Sequence, residues 1–96
     1  TMYYPNGKKQ QEMKMDSNGD GASMLYYETG ELFERAVLKD AYREGAVTQY
    51  YRNGQVMLIG FMKEDMLDGF AKEYDAEGQF IRKVLYKEGE EVKNAQ

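Results

Sequence analysis

The hydrophobic and polar positions of this chain repeat at a nearly constant interval. Each copy opens with a tyrosine pair and a glycine three residues after the second tyrosine, in the segments Tyr3–Gly7, Tyr26–Gly30 and Tyr50–Gly54. A fourth copy, Tyr74–Gly78, carries Asp75 in place of the second tyrosine. In the first three copies a second glycine follows before the next copy begins, at Gly21, Gly45 and Gly69. The period is about 24 residues, a size typical of a repeat architecture.

The glycines predict what each copy folds into. Asn6-Gly7 and Asn53-Gly54 are a preferred pair for a two-residue type I′ hairpin turn, in which both residues take positive φ. Thr29-Gly30 and Glu77-Gly78 are poorer versions of the same turn, and the second glycine of a copy ends a looser turn into the next strand. The sequence therefore predicts an all-β fold, a repeat meander of antiparallel hairpins that forms one open, twisted sheet of roughly seven or eight strands.

One segment has a competing interpretation. Residues Glu31–Glu44 are rich in helix formers and place Phe33, Ala36, Val37 and Ala41 on one helical face. Its counterpart in the next copy contains Val56, Ile59 and Gly60 and makes a poor helix. Because equivalent copies are expected to share one conformation, we predict strand for both.

Pairing residues across the predicted turns separates two faces. One face is largely apolar and is predicted to be the core; its pairs include Tyr26 with Phe33, Thr48 with Ile59, Ala46 with Phe61, and Phe70 with Leu85. The other is mixed, with Leu25 opposite Glu34, Gln49 opposite Leu58, and Glu73 opposite Arg82. A one-residue slip would mix the two sets, so this separation supports the register. The first tyrosine of each pair is predicted to face the core and the second the more solvated side.

The tyrosine pair, the Asn-Gly step, the period and the closing glycine resemble the MORN-variant repeats of bacterial proteins, over residues 3 to 92. The resemblance implies an open all-β repeat sheet that serves as a scaffold or interaction surface. Some members of that family are labelled antitoxins, and others phosphatidylinositol phosphate kinases. We expect units near 3–25, 26–49, 50–73 and 74–92, with 93–96 as a disordered tail. A bacterial source would leave the cytoplasm and the envelope both open as locations.

Composition excludes several kinds of chemistry. The 96 residues contain no His and no Cys, which excludes Ser–His or Cys–His nucleophile pairs, disulfides and thiolate metal sites. A P-loop and a Gly-rich nucleotide motif are also absent, so we expect no cofactor, no catalytic residue and no enzyme activity. The net charge of −4 disfavours a nucleic-acid partner, and the lysines are scattered among acids along the sequence, which disfavours membrane binding.

The segment Asp16–Gly21 matches the first half of a calcium-binding loop. Its twelfth position, which should be a bidentate glutamate, is Tyr27, and no helix pattern flanks it. Asn, Asp and Gly are also what a tight turn requires, so we interpret the segment as a turn between repeats and expect no metal.

The second tyrosines give the candidate site. Tyr4, Tyr27 and Tyr51 would form a row on the mixed face, with Leu32, Val56 and Phe80 between them, and exposed aromatic rows anchor protein interfaces. Ordinary packing within a thin sheet is the competing interpretation. The two unpaired edges of an open sheet also favour self-association.

We expect a non-catalytic repeat scaffold whose sheet surface binds a protein partner, which the resemblance suggests is a toxin. Two alternatives stay open: an accessory domain that binds an ion or a small ligand, and a segment of a larger protein whose catalytic part lies elsewhere. A lipid-kinase activity is disfavoured, because 96 residues are too few for a kinase fold.

Overall fold

A computed structural model describes residues 2–92, and within them every regular element is a β-strand. The strands are β1 (Met2–Tyr3), β2 (Lys9–Met15), β3 (Gly21–Tyr26), β4 (Leu32–Lys39), β5 (Tyr42–Tyr50), β6 (Val56–Lys63), β7 (Met66–Leu67), β8 (Gly69–Tyr74), β9 (Phe80–Lys87) and β10 (Glu90–Glu91). The expected tail at 93–96 lies outside the described residues.

All ten strands belong to one antiparallel sheet in which sequence neighbours are spatial neighbours. The order is β1-β2-β3-β4-β5-β6-β8-β9-β10, and the short β7 pairs with β6. The predicted meander of hairpins in an open sheet is confirmed. Residues Glu31–Glu44, for which a helix was the alternative, contain β4 and the start of β5.

The predicted register is correct along most of each hairpin. Thr48 pairs with Ile59, Ala46 with Phe61, and Phe70 with Leu85, as the sequence predicts. Beside the tips the pairing slips by one residue, so that Tyr26, Tyr50 and Tyr74 face Leu32, Val56 and Phe80. Each slip is a bulge, which inserts one extra residue into the second strand of the hairpin.

The bulges show that the predicted turn type at the hairpin tips is wrong. Two hydrogen bonds define the second tip, from the Gly30 amide to the Tyr27 carbonyl at 2.9 Å and from the Tyr27 amide to the Glu31 carbonyl at 2.8 Å. The same pair recurs at the other three tips. Only the glycine has positive φ, +104° at Gly30 and +89° at Gly54, whereas Asn53 does not. This is a three-residue loop in which a glycine bulge follows a type I turn.

Two-residue turns with positive φ at both positions occur instead at the opposite ends of the strands. Asp40 and Ala41 join the paired residues Lys39 and Tyr42 with φ of 52° and 70°, and Glu64 and Asp65 repeat the geometry at 52° and 69°. The predicted turn at the second glycine therefore lies a few residues earlier. A left-handed non-glycine residue costs about 1 kcal/mol, and interstrand pairing holds these turns in place despite that cost.

The buried residues lie on one face of the sheet, here called the inner face. A row of small side chains crosses the strands there, from Ser23 through Ala36, Val47, Gly60 and Ala71 to Val84. Val47 is 1% exposed and Ala36 is 2% exposed. Longer side chains on either side of the row, Leu58, Met62, Leu67 and Tyr86 among them, pack against it. The small residues let their neighbours cover them, so a single layer can enclose a core.

The prediction of which face forms the core is wrong. The face predicted as core, here called the outer face, exposes Val37, Ile59, Phe61, Phe70, Ile81 and Leu85. Met24, at 8% exposure, is an exception on that face. The apolar cross-strand pairs favoured the outer face as the core. A face is buried only if other atoms cover it, however, and on the inner face the longer side chains cover the small ones.

The body measures 45 × 33 × 18 Å and has a radius of gyration of 14.3 Å. A compact domain of this length would have a radius of about 12.5 Å. The molecule is therefore elongated, as expected for a repeat sheet whose units contact only their neighbours.

Gly21 gives a direct test of the close strand approach near the first turn. A Cβ atom at Gly21 would collide with the carbonyl oxygen of Lys14, which belongs to the backbone of the neighbouring strand. We expect Gly21→Ala to lower the free energy of unfolding in urea by about 2 kcal/mol or more. Gly7→Ala is the control, because a Cβ there meets nothing within 4 Å; its positive φ should cost about 1 kcal/mol. Equal losses in the two variants would contradict the close approach.

Candidate functional site

The second tyrosine of each pair joins one hairpin tip to the next. The Tyr4 hydroxyl donates to the Tyr26 carbonyl at 2.6 Å, Tyr27 donates to Tyr50 at 2.6 Å, and Tyr51 donates to Tyr74 at 2.8 Å. Each acceptor is the first tyrosine of the following copy and lies at the bulge. The second tyrosines thus link successive units. These bonds agree with the interpretation that the row serves packing within the sheet.

Asparagine adds a second link at two of the tips. The Asn6 amide nitrogen donates to the Glu28 carbonyl at 3.0 Å, and that of Asn53 donates to the Ala76 carbonyl at 2.8 Å. The side-chain oxygen of each accepts from a backbone amide two residues later, which braces its own loop. Thr29 occupies the equivalent position in the second copy, where its hydroxyl bonds the carboxylate of Glu31.

The fourth tip is built differently, because its second position is Asp75. The Asp75 carboxylate accepts from the backbone amides of Glu77 and Gln79, at 2.9 and 3.0 Å. This side chain bonds within its own loop, whereas the tyrosines reach the next tip.

The turns at the opposite ends of the strands are linked by backbone bonds. The Ala41 amide donates to the Gly19 carbonyl, Asp65 to Arg43, and Gly89 to Leu67, at 2.8, 3.0 and 2.8 Å. Gly19 lies in the turn before β3, whereas Arg43 and Leu67 lie within two residues after a turn, and in each case the donor belongs to the next turn along the chain at that end of the sheet. Successive units are therefore tied at both ends of the strands, which fixes their spacing.

The structure assembles the candidate interface row. Leu32, Val56 and Phe80 pair with Tyr26, Tyr50 and Tyr74, whose carbonyls accept the bonds from Tyr4, Tyr27 and Tyr51. The three second tyrosines are half-buried, as are Leu32 and Val56. Phe80 is 56% exposed and contacts Tyr74 edge-on with 5.9 Å between ring centroids. Phe80 is the most accessible member of the row.

The Tyr27 ring also has aromatic and cationic neighbours. It meets the Phe33 ring edge-on at 5.2 Å, and the Arg52 guanidinium lies 4.8 Å from its centroid. Both contacts restrict the ring, and together with the hydroxyl bond they fix its orientation at the tip.

Among residues 2–92 the inner face buries one carboxylate, that of Glu34. It accepts from the Arg43 guanidinium at 2.7 Å and from the Gln49 side-chain amide at 3.0 Å. Arg43 also bonds the Asp65 carboxylate and carbonyl in the next turn. These bonds satisfy the buried charge, and within residues 2–92 every buried side-chain polar atom has a partner. The arrangement is that of a structural ion pair between neighbouring units.

At the far edge of the sheet, Tyr86 and Arg82 share acidic neighbours. Burial raises the pKa of the Tyr86 phenol, and the charges of Glu73 and Glu91 raise it further. The Arg82 guanidinium donates to Glu73 at 2.8 Å, which raises the pKa of Arg82 from an already high value. Both groups therefore keep their neutral-pH protonation states, and neither is poised to transfer a proton near pH 7.

The segment Asp16–Gly21 forms a turn. The Asp16 carboxylate accepts from the amides of Asn18 and Asp20 at 2.9 and 3.0 Å, and the Asp20 carboxylate accepts from the Asp40 amide. Across residues 2–92 there is no group of three or more His, Cys, Asp or Glu side chains placed to hold a metal ion. That described stretch also has no helix long and apolar enough to span a membrane.

Sequence reasoning missed a second surface, the outer face. On β4, β6, β8 and β9 every charged side chain of this face is basic: Arg35, Lys39, Lys63, Lys72, Lys83 and Lys87. A usable signal was present in the sequence. These basic residues occupy the same alternate positions along the strands as Phe61 and Phe70, so they share a face with them. Because unpaired charges are rarely buried, that face was a poor candidate for the core.

Comparison with known proteins gives one match. The family model described as MORN repeat variant matches residues 1–16 and 43–64. Each matched segment contains one Tyr-Tyr-x-Asn-Gly tip, Tyr3–Gly7 or Tyr50–Gly54. No curated protein and no solved structure matches the chain. The match supports repeats of the MORN type.

The hydrogen bond from the Tyr27 hydroxyl to the Tyr50 carbonyl can be tested by removing the hydroxyl group. We expect Tyr27→Phe to lower the free energy of unfolding by about 0.5–1.5 kcal/mol, because the Tyr50 carbonyl loses its donor while the ring contacts remain. Urea denaturation monitored by circular dichroism measures the loss. The control is Tyr42→Phe, since Tyr42 is exposed and its hydroxyl has no hydrogen-bond partner within residues 2–92. A loss no greater than that of the control would contradict the structural role.

The contact between Thr29 and Glu31 predicts a pH effect. The hydrogen bond from the Thr29 hydroxyl holds the pKa of Glu31 below its ordinary value of 4.5. A depressed carboxyl pKa stabilises the fold above the unfolded pKa, and this stabilisation is lost as pH falls through the folded pKa. We expect Thr29→Ala to raise the Glu31 pKa in an NMR titration and to reduce the acid dependence of stability below pH 4.5. An unchanged Glu31 titration would show that this bond does not set the pKa.

Proposed function

We propose that this array of MORN-type repeats is a non-catalytic scaffold that binds a protein partner on its sheet surface. One observation carries the proposal: the outer face of a single-layer sheet exposes six large apolar side chains that no other element covers within residues 2–92. Contiguous exposed apolar patches on soluble proteins mark interaction sites.

The organisation of the units supports a scaffold role. Units near 3–25, 26–49, 50–73 and 74–92 would each contribute one hairpin tip, and the links at both strand ends hold the tips in fixed spacing. A rigid, regularly spaced surface loses little conformational entropy on binding. Glu34, Asp75 and the three second tyrosines occupy structural bonds, which fits a role without catalysis.

Two surfaces are candidates for the contact. One is the row of Tyr4, Tyr27, Tyr51, Leu32, Val56 and Phe80 at the tips, and the other is the outer face. The tyrosine hydroxyls of the row are already engaged, so its exposed contribution is carried mainly by Phe80. The outer face offers more exposed apolar side chains and is the favoured surface.

A toxin is the specific partner that we propose on the basis of the MORN-variant resemblance, with inhibition by binding. Self-association through an open sheet edge is the competing use of the same architecture.

Site-specific photocrosslinking in the native host tests the proposal. Benzoylphenylalanine is introduced at Phe61 on the outer face and at Phe80 in the tip row, and the control position is Ser17, which is exposed in the turn after β2. We expect a discrete crosslinked protein at Phe61 that is absent at Ser17. A crosslink at Phe80 alone would move the interface to the tip row.

If neither position captures another protein, the proposed function is wrong. If the product is a dimer of this chain, self-association replaces it. When the captured protein arrests growth and co-expression of this chain relieves the arrest, the toxin assignment is supported.

A further inference from the structure

The central part of the outer face, on β4, β6, β8 and β9, combines apolar area with charge of one sign, whereas Glu12 on β2 and Glu90 on β10 occupy outer-face positions toward the two edges of the sheet. The chain as a whole has a net charge of −4, yet the outward positions of β4, β6, β8 and β9 include six basic residues and no acidic one. Acidic side chains on those strands, Glu34 and Glu73, point to the inner face, where they bond Arg43 and Arg82. Folding therefore separates charge that is mixed along the sequence.

The apolar residues of the outer face form a transverse row. Ala46 pairs with Phe61, Phe70 pairs with Leu85, and the row continues to Val37 on β4. Phe61 is 59% exposed and Phe70 is 55% exposed. From β4 to β9 the row crosses four interstrand spacings, about 19 Å. That length matches a helical segment of about 13 residues.

Two lysines beside this row lack a compensating charge. Lys72 and Lys83 are direct cross-strand partners on the outer face. Within residues 2–92 neither has a carboxylate within 4.0 Å. Like charges placed directly opposite each other destabilise a sheet. The Lys83 ammonium lies 4.5 Å from the centroid of the Phe70 ring, which keeps the cation beside the apolar row.

The charge around the outer face favours a narrow ligand over a broad one. Acidic residues occupy the turns at both ends of the strands: Glu28, Glu31, Asp75 and Glu77 at the tips, and Asp40, Glu64, Asp65, Asp68 and Glu88 at the opposite ends. An anionic bilayer spreading over the face would meet these acids on both sides. A single acidic segment lying along the row would meet the cations and avoid the turns.

We propose that the outer face binds an acidic polypeptide segment of a partner protein, whose apolar side chains pack on Phe61 and Phe70 and whose carboxylates pair with Lys72 and Lys83. The proposal rests on the proposed function and names the surface and the partner chemistry. A groove of about 580 Å³ adjoins this surface at the β9–β10 edge; its lining includes Phe70, Lys83, Leu85 and Val92, together with Arg82 and Glu91, which pair with each other at 3.4 Å. Residues 93–96 contribute a lysine and no acidic side chain to the sequence, so they do not supply the required charge.

Titration with a designed peptide tests this inference on the full chain. The probe is an amphipathic glutamate–leucine peptide of about 14 residues, and the matched probe replaces each glutamate with lysine. We expect saturable binding of the acidic probe by fluorescence anisotropy, weakened by added salt, and no binding of the basic probe. Lys72→Glu with Lys83→Glu should weaken binding about tenfold or more, equivalent to about 1.4 kcal/mol.

The control variant is Lys8→Glu with Lys9→Glu, which makes the same change in net charge at β2 and the loop before it, at the other end of the sheet from β8 and β9, and should bind like the wild type. Circular dichroism verifies that both variants fold. Equal binding of the two probes, or full binding by the Lys72–Lys83 variant, overturns the inference.

Two further measurements identify a different occupant. If the protein sediments with phosphatidylglycerol vesicles and does not bind the acidic peptide, the proposal is wrong and the outer face binds a membrane surface instead. If the wild type self-associates in sedimentation velocity and the Lys72–Lys83 variant does not, the occupant of the outer face is a second copy of the chain. If either result overturns this inference but the crosslink at Phe80 captures a protein, the proposed protein-binding function is still supported.

Discussion

The architecture depends on one hydrogen bond that recurs between neighbouring hairpins. A tyrosine hydroxyl at one tip donates to the main-chain carbonyl of the first tyrosine at the next tip, at 2.6 to 2.8 Å in three successive instances. Each acceptor carbonyl lies beside the bulge, at the point where the pairing between the two strands shifts by one residue. Because the donor reaches from one unit to the next, the bond couples the unit spacing to the strand register. The backbone bonds between the opposite turns give the same spacing at the other end.

This coupling explains how a thin single sheet keeps a defined shape. A two-layer protein aligns its strands by packing two apolar faces together. Here the alignment comes from the linked ends, and the inner face needs only small side chains that their longer neighbours cover. The outer face is then free of a packing role. It can expose Phe61 and Phe70 and carry lysines, a combination that a buried face would not tolerate.

Local pattern and global fold agree for some elements and disagree for others. The register was readable because alternation along a strand has a period of two and a slip would scramble both faces. The turn type at Asn6-Gly7 and Asn53-Gly54 is not readable in the same way, because the same dipeptide fits both a two-residue loop and a three-residue loop with a glycine bulge. The positive φ of Asp40 and Ala41 was also unreadable, since non-glycine residues adopt it only where pairing across the strands fixes a two-residue loop. The role of Tyr4, Tyr27 and Tyr51 was seen as a row, but not as a set of links.

The sequence by itself determined the period, the hairpin meander and the strand pairing along most of each hairpin, and it carries the resemblance to MORN-type repeats, because each of these depends on residues close together along the chain. Only the tertiary structure decided which face is buried, where the lysines gather and what the second tyrosines bond. Those outcomes depend on contacts between successive units, whose partners lie a full repeat apart along the chain. A face becomes a core when something covers it, and whether a cover exists is a property of the folded sheet that side-chain hydrophobicity does not encode.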